Sequence, residues 1–302
     1  MLQAQDLSGI LTVLQMPYTE DGLIDWKVLR REVNWVFQNG ANGVVVAMVT
    51  EVLRLTEQER DALAGSLVDY AGHRGPVIMS VGGESTVQAI RNALAAQRAG
   101  VDALMAIPPV SIGALPEEII GYYESILEVT EIPLVIQDAS GYVGRPMPTD
   151  LMADLFNRFP ERVAFKPEAL PLGPNLSRLR EATQGKAALF EGSGGIGLIE
   201  SFRRGVSGTM PGAEIVWAIR RLWDALEAGH EDRARGIHGL ISPLIALQCG
   251  LDGFLAVEKC LLREQGVFEN EIVRGPRGFL LDPVTRSEAL NLLKRLSAVC
   301  ER

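Results

Sequence analysis

The sequence predicts a (β/α)8 barrel, a TIM barrel fold, with a C-terminal three-helix extension. Short apolar segments alternate with segments of helical period eight times within residues 1–230. The apolar segments are nearly continuous runs of Val, Ile and Ala, which is typical of parallel strands buried on both faces. Eight such units most naturally close into a barrel, whose active site lies at the C-terminal ends of the strands.

The eight predicted strands are short, and each is separated from the next by enough chain for one helix. They span residues 9–15, 43–48, 76–83, 102–109, 132–138, 162–167, 187–195 and 206–212. The alternative fold is a doubly wound open sheet, which requires a phosphate-binding glycine fingerprint after the first strand. The sequence has no such fingerprint there, so the barrel is favoured.

Each predicted strand is followed by a predicted helix, and several of these helices carry local start or stop signals. Gly40 follows the first helical segment as a stop signal. Thr56 and Glu59 fit a capping box at the start of the second. Pro116 suits the first turn of the fourth. The eight helical segments span residues 25–40, 55–72, 84–100, 116–130, 149–159, 173–184, 197–205 and 214–229.

The pattern changes near residue 231. Three helical segments follow without strands between them, at residues 231–250, 253–266 and 282–302. We therefore divide the chain into a barrel catalytic domain, residues 1–230, and a helical extension, residues 231–302. We expect the extension to pack on the barrel and not to form an independent domain.

Composition and charge exclude several classes of function. The chain has 302 residues and a net charge of −9, and an acidic surface of this kind attracts neither nucleic acid nor an anionic membrane. No apolar run approaches the roughly 18 residues of a membrane span, and the first ten residues do not resemble a secretion signal. Cys249, Cys260 and Cys300 have no metal-ligand spacing. We expect a cytoplasmic protein without a metal or other cofactor.

Lys166 is the first candidate for chemistry. It ends the sixth predicted strand in the stretch RVAFKPE, residues 162–168. A lone lysine at such a position most often emerges into solvent, but the C-terminal end of a barrel strand is where barrel enzymes carry their chemistry. Pro167 keeps the preceding residue extended. An amine in these apolar surroundings loses its charge more easily, and a neutral amine can form a Schiff base with a ketone.

Several motifs, taken in order, resemble those of one enzyme family. RVAFKPE stands where the dihydrodipicolinate synthase/N-acetylneuraminate lyase family has its Schiff-base lysine. AMVTEVLRLTEQER stands at that family's Gly-Thr-Thr-Gly-Glu loop and the helix that follows it. DALMAIPPV and IPLVIQDASGYVG resemble its fourth and fifth strands, and FEGSGG and GVSGTMPG its seventh and eighth. The resemblance covers essentially the whole chain and implies a class I, lysine-dependent lyase acting on a small 2-oxo acid.

The resemblance also implies site residues. Lys166 would form the Schiff base, and the loop after the second strand, with Val49, Thr50 and Glu51, would bind the substrate carboxylate. The family's two threonine positions hold Met48 and Val49 here, so Thr50 is the expected replacement hydroxyl, shifted by one residue. Glu51 keeps the family's glutamate, which we interpret mainly as a carboxylate that orients this loop. Two further substrate-binding residues, in the motifs of strands seven and eight, are Ser193 and Met210.

The fifth strand departs from the family in a way that bears on the reaction. The family's proton-relaying tyrosine is replaced by Gln137, whose amide has no useful proton to give or take near neutral pH. The second tyrosine of the family's relay is Val110. The position of the synthase arginine that holds the aldehyde substrate's carboxylate is Tyr142, with Arg145 close by. These departures weaken the case for aldol cleavage and for the synthase condensation.

VIQDA and AVEKCLLREQGV instead resemble the branch of the family that contains L-2-keto-3-deoxyarabonate dehydratase. We therefore expect dehydration of a 2-keto-3-deoxy sugar acid, with Lys166, Gln137 and Thr50 as catalytic residues. Two alternatives are kept. One is dihydrodipicolinate synthase or a pyruvate-dependent aldolase, and the other is a non-catalytic 2-oxo-acid-binding protein. The resemblance further implies a homotetramer, a dimer of dimers.

Overall fold

Eight parallel strands alternate with helices along the chain in the structure, a computed structural model that describes residues 2–141, 143–248 and 250–301. The strands share an apolar sequence and burial along nearly their whole length. They are β1 (Gly9–Val13), β2 (Gly43–Val46), β3 (Val77–Ser80), β4 (Ala103–Ala106), β5 (Leu134–Asp138), β6 (Val163–Pro167), β7 (Phe190–Glu191) and β8 (Gly208–Thr209).

The strands pair in the order β6, β5, β4, β3, β2, β1, β8, β7, and every pair is parallel. The ends of this sheet meet where Phe165 on β6 forms a bridge with Leu189, just before β7. The Phe165 N–H donates to the Ala188 carbonyl at 2.9 Å across the same junction. The predicted (β/α)8 barrel is therefore confirmed.

The barrel helices follow the strands as the sequence predicts, with bounds a few residues tighter. The predicted capping box forms, since Thr56 Oγ1 accepts from the Glu59 N–H at 3.2 Å and Glu59 Oε2 from the Thr56 N–H at 2.9 Å. The helices are α1 (Trp26–Gln38), α2 (Glu57–Ala71), α3 (Thr86–Arg98), α4 (Pro116–Val129), α5 (Thr149–Arg158), α6 (Leu172–Ala182), α7 (Leu198–Arg203) and α8 (Val216–Glu227).

Strands β7 and β8 are much shorter than the apolar runs that predicted them. The segment after β7 contains Gly194 and Gly195, whose φ angles of 68° and 104° cannot continue a strand. Pro211, two residues after β8, has no N–H to donate to a neighbouring strand. Both strands therefore give way early to irregular backbone at the active-site end of the barrel.

The C-terminal extension consists of α9 (Glu231–Ala246), α10 (Gly250–Glu264) and α11 (Pro283–Cys300). Helix α9 packs on α8 and α11, and its apolar side chains join the same buried cluster as the barrel helices. Helix α10 contacts two 3-10 turns, Met48–Thr50 after β2 and Ala213–Ile215 after β8. The extension therefore covers part of the barrel mouth.

One further property bears on the location of the chain. Among the described residues, no helix combines the length and the apolar character that a membrane crossing requires.

Candidate active site

Lys166 lies at the C-terminal end of β6 and faces the interior of the barrel. Side chains alternate along a strand: Phe165 packs outward among the helices, whereas Ala164 belongs to the interior cluster, and Lys166 follows Ala164 by two residues. Gln137 on β5 is its register partner. The lysine keeps only 3% of its surface exposed. A lysine buried this deeply requires a partner.

That partner is Glu168, two residues further on. Its Oε1 lies 2.7 Å from Lys166 Nζ, and its two oxygens accept hydrogen bonds from Gln137 Nε2 at 3.3 and 3.2 Å. Burial raises the pKa of the Glu168 carboxyl above its ordinary value, and the Lys166 ammonium opposes that rise. Lysine, amide and carboxylate thus form one contiguous group, which we call the lysine triad.

Backbone contacts hold Glu168 in this position. Its N–H donates to the Asp138 carbonyl at 3.1 Å, which extends the pairing of β5 and β6 by one residue beyond the strand. The Asp138 carboxylate is occupied in turn, because it accepts from the N–H groups of Ser140 and Met147 at 3.0 Å each. Asp138 therefore orders the loop that follows β5.

A small cavity of about 20 Å³ opens beside the lysine triad at the C-terminal ends of the strands. Four residues that the sequence predicted for the site line it together, namely Lys166, Gln137, Val49 and Met210. The extension contributes Ile245 from α9 and Phe254 from α10 to the same wall. The C-terminal helices are therefore part of the site, which the division of the chain into a barrel and an extension did not anticipate.

Three other predicted site residues do not line this cavity. Thr50 Oγ1 accepts from the Ala47 N–H at 3.0 Å, and the side chain is fully buried. Ser193 bonds to the Glu191 carboxylate, and its hydroxyl accepts from the Gly197 N–H at 2.8 Å. Both hydroxyls thus stabilise their own loops, and their contact with substrate stays a prediction.

Glu51 is the third of these residues, and it is held by a cluster of its own. Its carboxylate forms an ion pair with Lys259 of α10 and accepts from the Arg274 N–H at 3.0 Å. Its backbone is left-handed, with a φ of 55°, which a non-glycine residue adopts at some cost. This ion pair ties the loop after β2 to α10, and a role of Glu51 in orienting the loop or binding substrate stays a prediction.

The cavity wall also carries carboxyl groups that the sequence analysis missed. Glu214, after β8, and Glu258, on α10, both line the cavity and are both buried. Gln15 Nε2 donates to Glu258, and the Gln15 N–H donates to buried Glu32 of α1 at 2.8 Å. Burial raises the pKa of Glu214 to about 7 and those of Glu258 and Glu32 well above their ordinary value.

The sequence contains a spacing that predicts a place for Glu168 in the site, but nothing comparable for Glu32, Glu214 and Glu258. Glu168 follows Lys166 by two residues in an extended segment, so both side chains point to the same side. Glu32, Glu214 and Glu258 come from three distant segments, and a glutamate on an amphipathic helix ordinarily faces solvent. Their convergence is a property of the folded chain.

Three positions that the family resemblance singled out are not part of the site as the structure describes it. Tyr142 lies outside the described residues, and Arg145 is exposed. Val110 lies away from the cavity, and its N–H donates to Glu84 at 3.1 Å. Within residues 2–141, 143–248 and 250–301, no group of three or more His, Cys, Asp or Glu side chains is arranged to hold a metal ion.

Comparison with known proteins gives a consistent result. An L-2-keto-3-deoxyarabonate dehydratase of Azospirillum brasilense is 28% identical over 303 residues, 97% of this chain and 96% of that protein. A 4-hydroxy-tetrahydrodipicolinate synthase of Parabacteroides distasonis is 27% identical, over 98% of this chain and 99% of that protein. A crystal structure of dihydrodipicolinate synthase from Rhodopseudomonas palustris has a TM-score of 0.89 at 25% identity, covering 98% and 100% of the two chains. The Dihydrodipicolinate synthetase family model matches residues 6–298. Since that match spans nearly the whole chain, the protein belongs to the dihydrodipicolinate synthetase family.

Proposed function

We propose that this protein is a lyase that forms a Schiff base on Lys166 and dehydrates a small 2-keto-3-deoxy sugar acid. The observation that carries the proposal is the lysine triad, in which a buried lysine meets a carboxylate at 2.7 Å beside a cavity. The strand-five position holds Gln137, an amide, where proton transfer is impossible near neutral pH. A relative similar over 96% of its length is named L-2-keto-3-deoxyarabonate dehydratase, which supports the same reaction.

The first step requires a neutral amine. Glu168 accepts a proton from Lys166, and the amine then attacks the C2 carbonyl carbon of the 2-oxo acid. The carbonyl oxygen leaves as water and the imine forms. The proton that Glu168 took from the amine passes to the imine nitrogen, which leaves Glu168 as a carboxylate again. The protonated imine withdraws electrons and acidifies the hydrogens on C3. Lys166 thus supplies the electron sink, and the reaction needs no separate cofactor for that purpose.

The second step is the elimination. Because Glu168 lies beside the nitrogen that becomes the imine, its carboxylate is closer to C3 than to the far end of the substrate. It removes a C3 proton, the electron pair forms the C3–C4 double bond, and the C4–O bond breaks. The proton on Glu168 passes to the departing hydroxide, which leaves as water. A carboxyl whose pKa is raised by burial is suited to both transfers near neutral pH.

In this scheme Gln137 orients the Glu168 carboxylate and does not transfer protons. Its Nε2 donates to both oxygens of Glu168, whereas its buried Oε1 has no hydrogen-bond partner among the described residues. A substrate hydroxyl could donate to that oxygen. Retro-aldol cleavage would require a base at the C4 hydroxyl, and the amide cannot serve as one.

The remaining predicted roles are part of this proposal, although no contact between described residues supports them directly. They are carboxylate binding by the loop with Val49, Thr50 and Glu51, substrate contacts by Ser193 and Met210, a homotetrameric assembly and a cytoplasmic location. Val49 and Met210 have the best placement, because both line the cavity with Lys166.

Two measurements test the proposed function. Borohydride reduction in the presence of pyruvate, followed by peptide mass spectrometry, should give an adduct on Lys166 and none in the Lys166→Arg variant. A panel of 2-keto-3-deoxy sugar acids should then be dehydrated without release of pyruvate. Absence of the adduct at saturating pyruvate would leave a non-catalytic 2-oxo-acid-binding protein.

The main competing reaction is the synthase condensation, since relatives named 4-hydroxy-tetrahydrodipicolinate synthase match nearly the whole chain as well. Pyruvate with aspartate semialdehyde is therefore the control reaction. Rapid condensation, or rapid pyruvate release from a 2-keto-3-deoxy acid, would contradict dehydration while leaving the Schiff base intact.

A further inference from the structure

The cavity wall beyond β8 presents a carboxyl group whose hydrogen-bonding capacity is largely unused. Glu214 has no exposed surface, and neither of its carboxyl oxygens has a hydrogen-bond partner in the described part of the chain. A buried polar group without a partner costs free energy. The Gln248 side chain lies close enough to lower the pKa of Glu214, but the contact does not meet hydrogen-bond geometry and so removes only part of that cost.

Glu258 brings a second carboxyl to the same place. A Cβ added at Gly212 would collide with Glu214 Oε2 and would lie 2.8 Å from Glu258 Oε1. The two carboxyls therefore converge over Gly212, which itself lines the cavity. Only a residue without a side chain leaves this space open. Glu258 keeps its other oxygen on Gln15, which fixes the direction of its free oxygen.

We propose that Glu214 and Glu258 form a second subsite, which binds the hydroxyl group at the far end of the substrate. This inference rests on the proposed function and deepens it, because it names the substrate class. The 2-oxo end of the acid is bound at Lys166, and the carboxyl pair selects acids with a free hydroxyl beyond C4.

A hydroxyl suits this subsite better than an anionic group does. Burial and the neighbouring Glu214 carboxyl raise the pKa of Glu258, and a pair of converging carboxyls that holds one proton offers a donor and acceptors together. A hydroxyl can match either state, because it donates and accepts. A second carboxylate or a phosphate on the substrate would be repelled, since Lys166 is the one cationic side chain among the described residues that line the cavity.

The test compares three acids that differ at one carbon. They are 4,5-dihydroxy-2-oxopentanoate, 4-hydroxy-2-oxopentanoate, which lacks the distal hydroxyl, and 4-hydroxy-2-oxoglutarate, which carries a carboxylate there. The wild type should favour the dihydroxy acid by roughly 10- to 100-fold in kcat/KM over the other two, as a buried hydrogen-bonding group discriminates. Dissociation constants of the same acids, measured by calorimetry, give the binding preference independently of turnover.

Two variants and a control make the result specific. Glu214→Leu should reduce the preference to within about threefold, whereas Glu214→Gln should retain most of it because the amide still hydrogen-bonds. Glu32→Gln alters a buried carboxyl that does not line the cavity and should keep the wild-type ratio. Thermal unfolding checks that Glu214→Leu folds, as expected when an unpartnered buried carboxyl is replaced by an apolar group of similar size.

The outcomes separate the two proposals. If Glu214→Leu keeps the wild-type preference, or if the dicarboxylate binds as well as the dihydroxy acid, the second subsite is wrong while the Schiff base on Lys166 stands. If borohydride traps none of the three acids on Lys166, the proposed function fails, and the calorimetric ratio alone then decides on the subsite.

Discussion

Lys166 and Lys259 are both buried and both paired with a glutamate, yet their surroundings differ. Lys259 Nζ contacts the Glu51 carboxylate, donates to the Ile272 carbonyl at 2.7 Å and lies 4.7 Å from the centre of the Tyr18 ring. In the part of the chain that the structure describes, Lys166 Nζ is paired with Glu168 alone, and it borders the cavity. Burial therefore does not distinguish the lysine that we propose as reactive from the structural one, whereas the number of partners does.

The two glutamates differ in the same way. Glu51 is bound on both oxygens, because Lys259 takes one and the Arg274 N–H the other at 3.0 Å. Glu168 is bound by a lysine that becomes an imine in the proposed mechanism and by an amide that donates at 3.2 to 3.3 Å. We therefore expect changes at Lys166 and Glu168 to reduce activity, and changes at Lys259 and Glu51 to reduce stability.

The largest effect is expected at Lys166. Lys166→Arg keeps a positive charge beside Glu168, but arginine stays protonated and cannot form an imine. Turnover and borohydride trapping should both fall to background, while the circular dichroism spectrum stays that of the wild type. Activity comparable to the wild type in this folded variant would remove the Schiff-base mechanism.

Glu168→Gln should have the next largest effect. The substitution keeps size and hydrogen bonding but removes the group that moves the proton, so kcat should fall about 10²- to 10⁴-fold. Reduction with pyruvate over a long incubation should still label Lys166, because the amine remains.

The pH profile distinguishes proton transfer from a purely structural role of Glu168. Burial raises the pKa of Glu168, and the base must be ionised to act, so wild-type kcat should fall as the pH drops through that pKa. The variant should lose this acid limb. An unchanged acid limb would assign the base to another group.

Lys259→Met should leave the chemistry of the lysine triad in place and destabilise the fold. Removal of one partner leaves the Glu51 carboxylate buried without its ammonium, which typically costs 3–5 kcal/mol, roughly the range for broken buried pairs. Urea unfolding measures the loss, and the double variant Lys259→Met, Glu51→Gln should recover part of it. A loss below about 1 kcal/mol would mean that the remaining contacts of Glu51 suffice.

The sequence was sufficient for the features that depend on local pattern. The alternation of apolar runs and helical periods predicts the barrel, and strand position together with the family resemblance predicts Lys166 and Gln137 at one site. Glu168 could have been predicted from its two-residue spacing. The features that required the structure depend on α10. Charged side chains on an amphipathic helix ordinarily face solvent, whereas Glu258 and Lys259 are both buried, because the helix packs over the barrel mouth.

The smallest expected effect lies at the edge of the structural cluster, where Glu59 meets Arg274. Both Glu59 oxygens accept from the Arg274 guanidinium, at 2.7 and 2.8 Å, and these hydrogen bonds lower the pKa of Glu59 to about 2. A carboxyl whose pKa is lower in the folded than in the unfolded state stabilises the fold above its unfolded pKa of about 4.3. That contribution is lost as the pH falls from about 4 towards 2. The two side chains of this pair are 21% and 22% exposed, and screening by this solvent should keep its contribution to about 1 kcal/mol or less.

The Glu59→Gln variant compares this ion pair with the buried pair of Lys259 and Glu51. The variant should unfold at a slightly lower temperature than the wild type at pH 6. The difference should shrink as the pH falls towards 2 and be lost below that pH if the fold persists, because wild-type Glu59 is protonated as the pH falls through its folded pKa. Added salt should also shrink the difference, since the pair is partly exposed. Lys259→Met should be insensitive to salt by comparison, because its pair is sealed from solvent, with both side chains at 0% exposure. If the Glu59→Gln deficit proved as large as that of Lys259→Met, the outer ion pair would hold the loop after β2 as strongly as the buried lysine, and the number of partners around Lys259 would no longer explain its structural role.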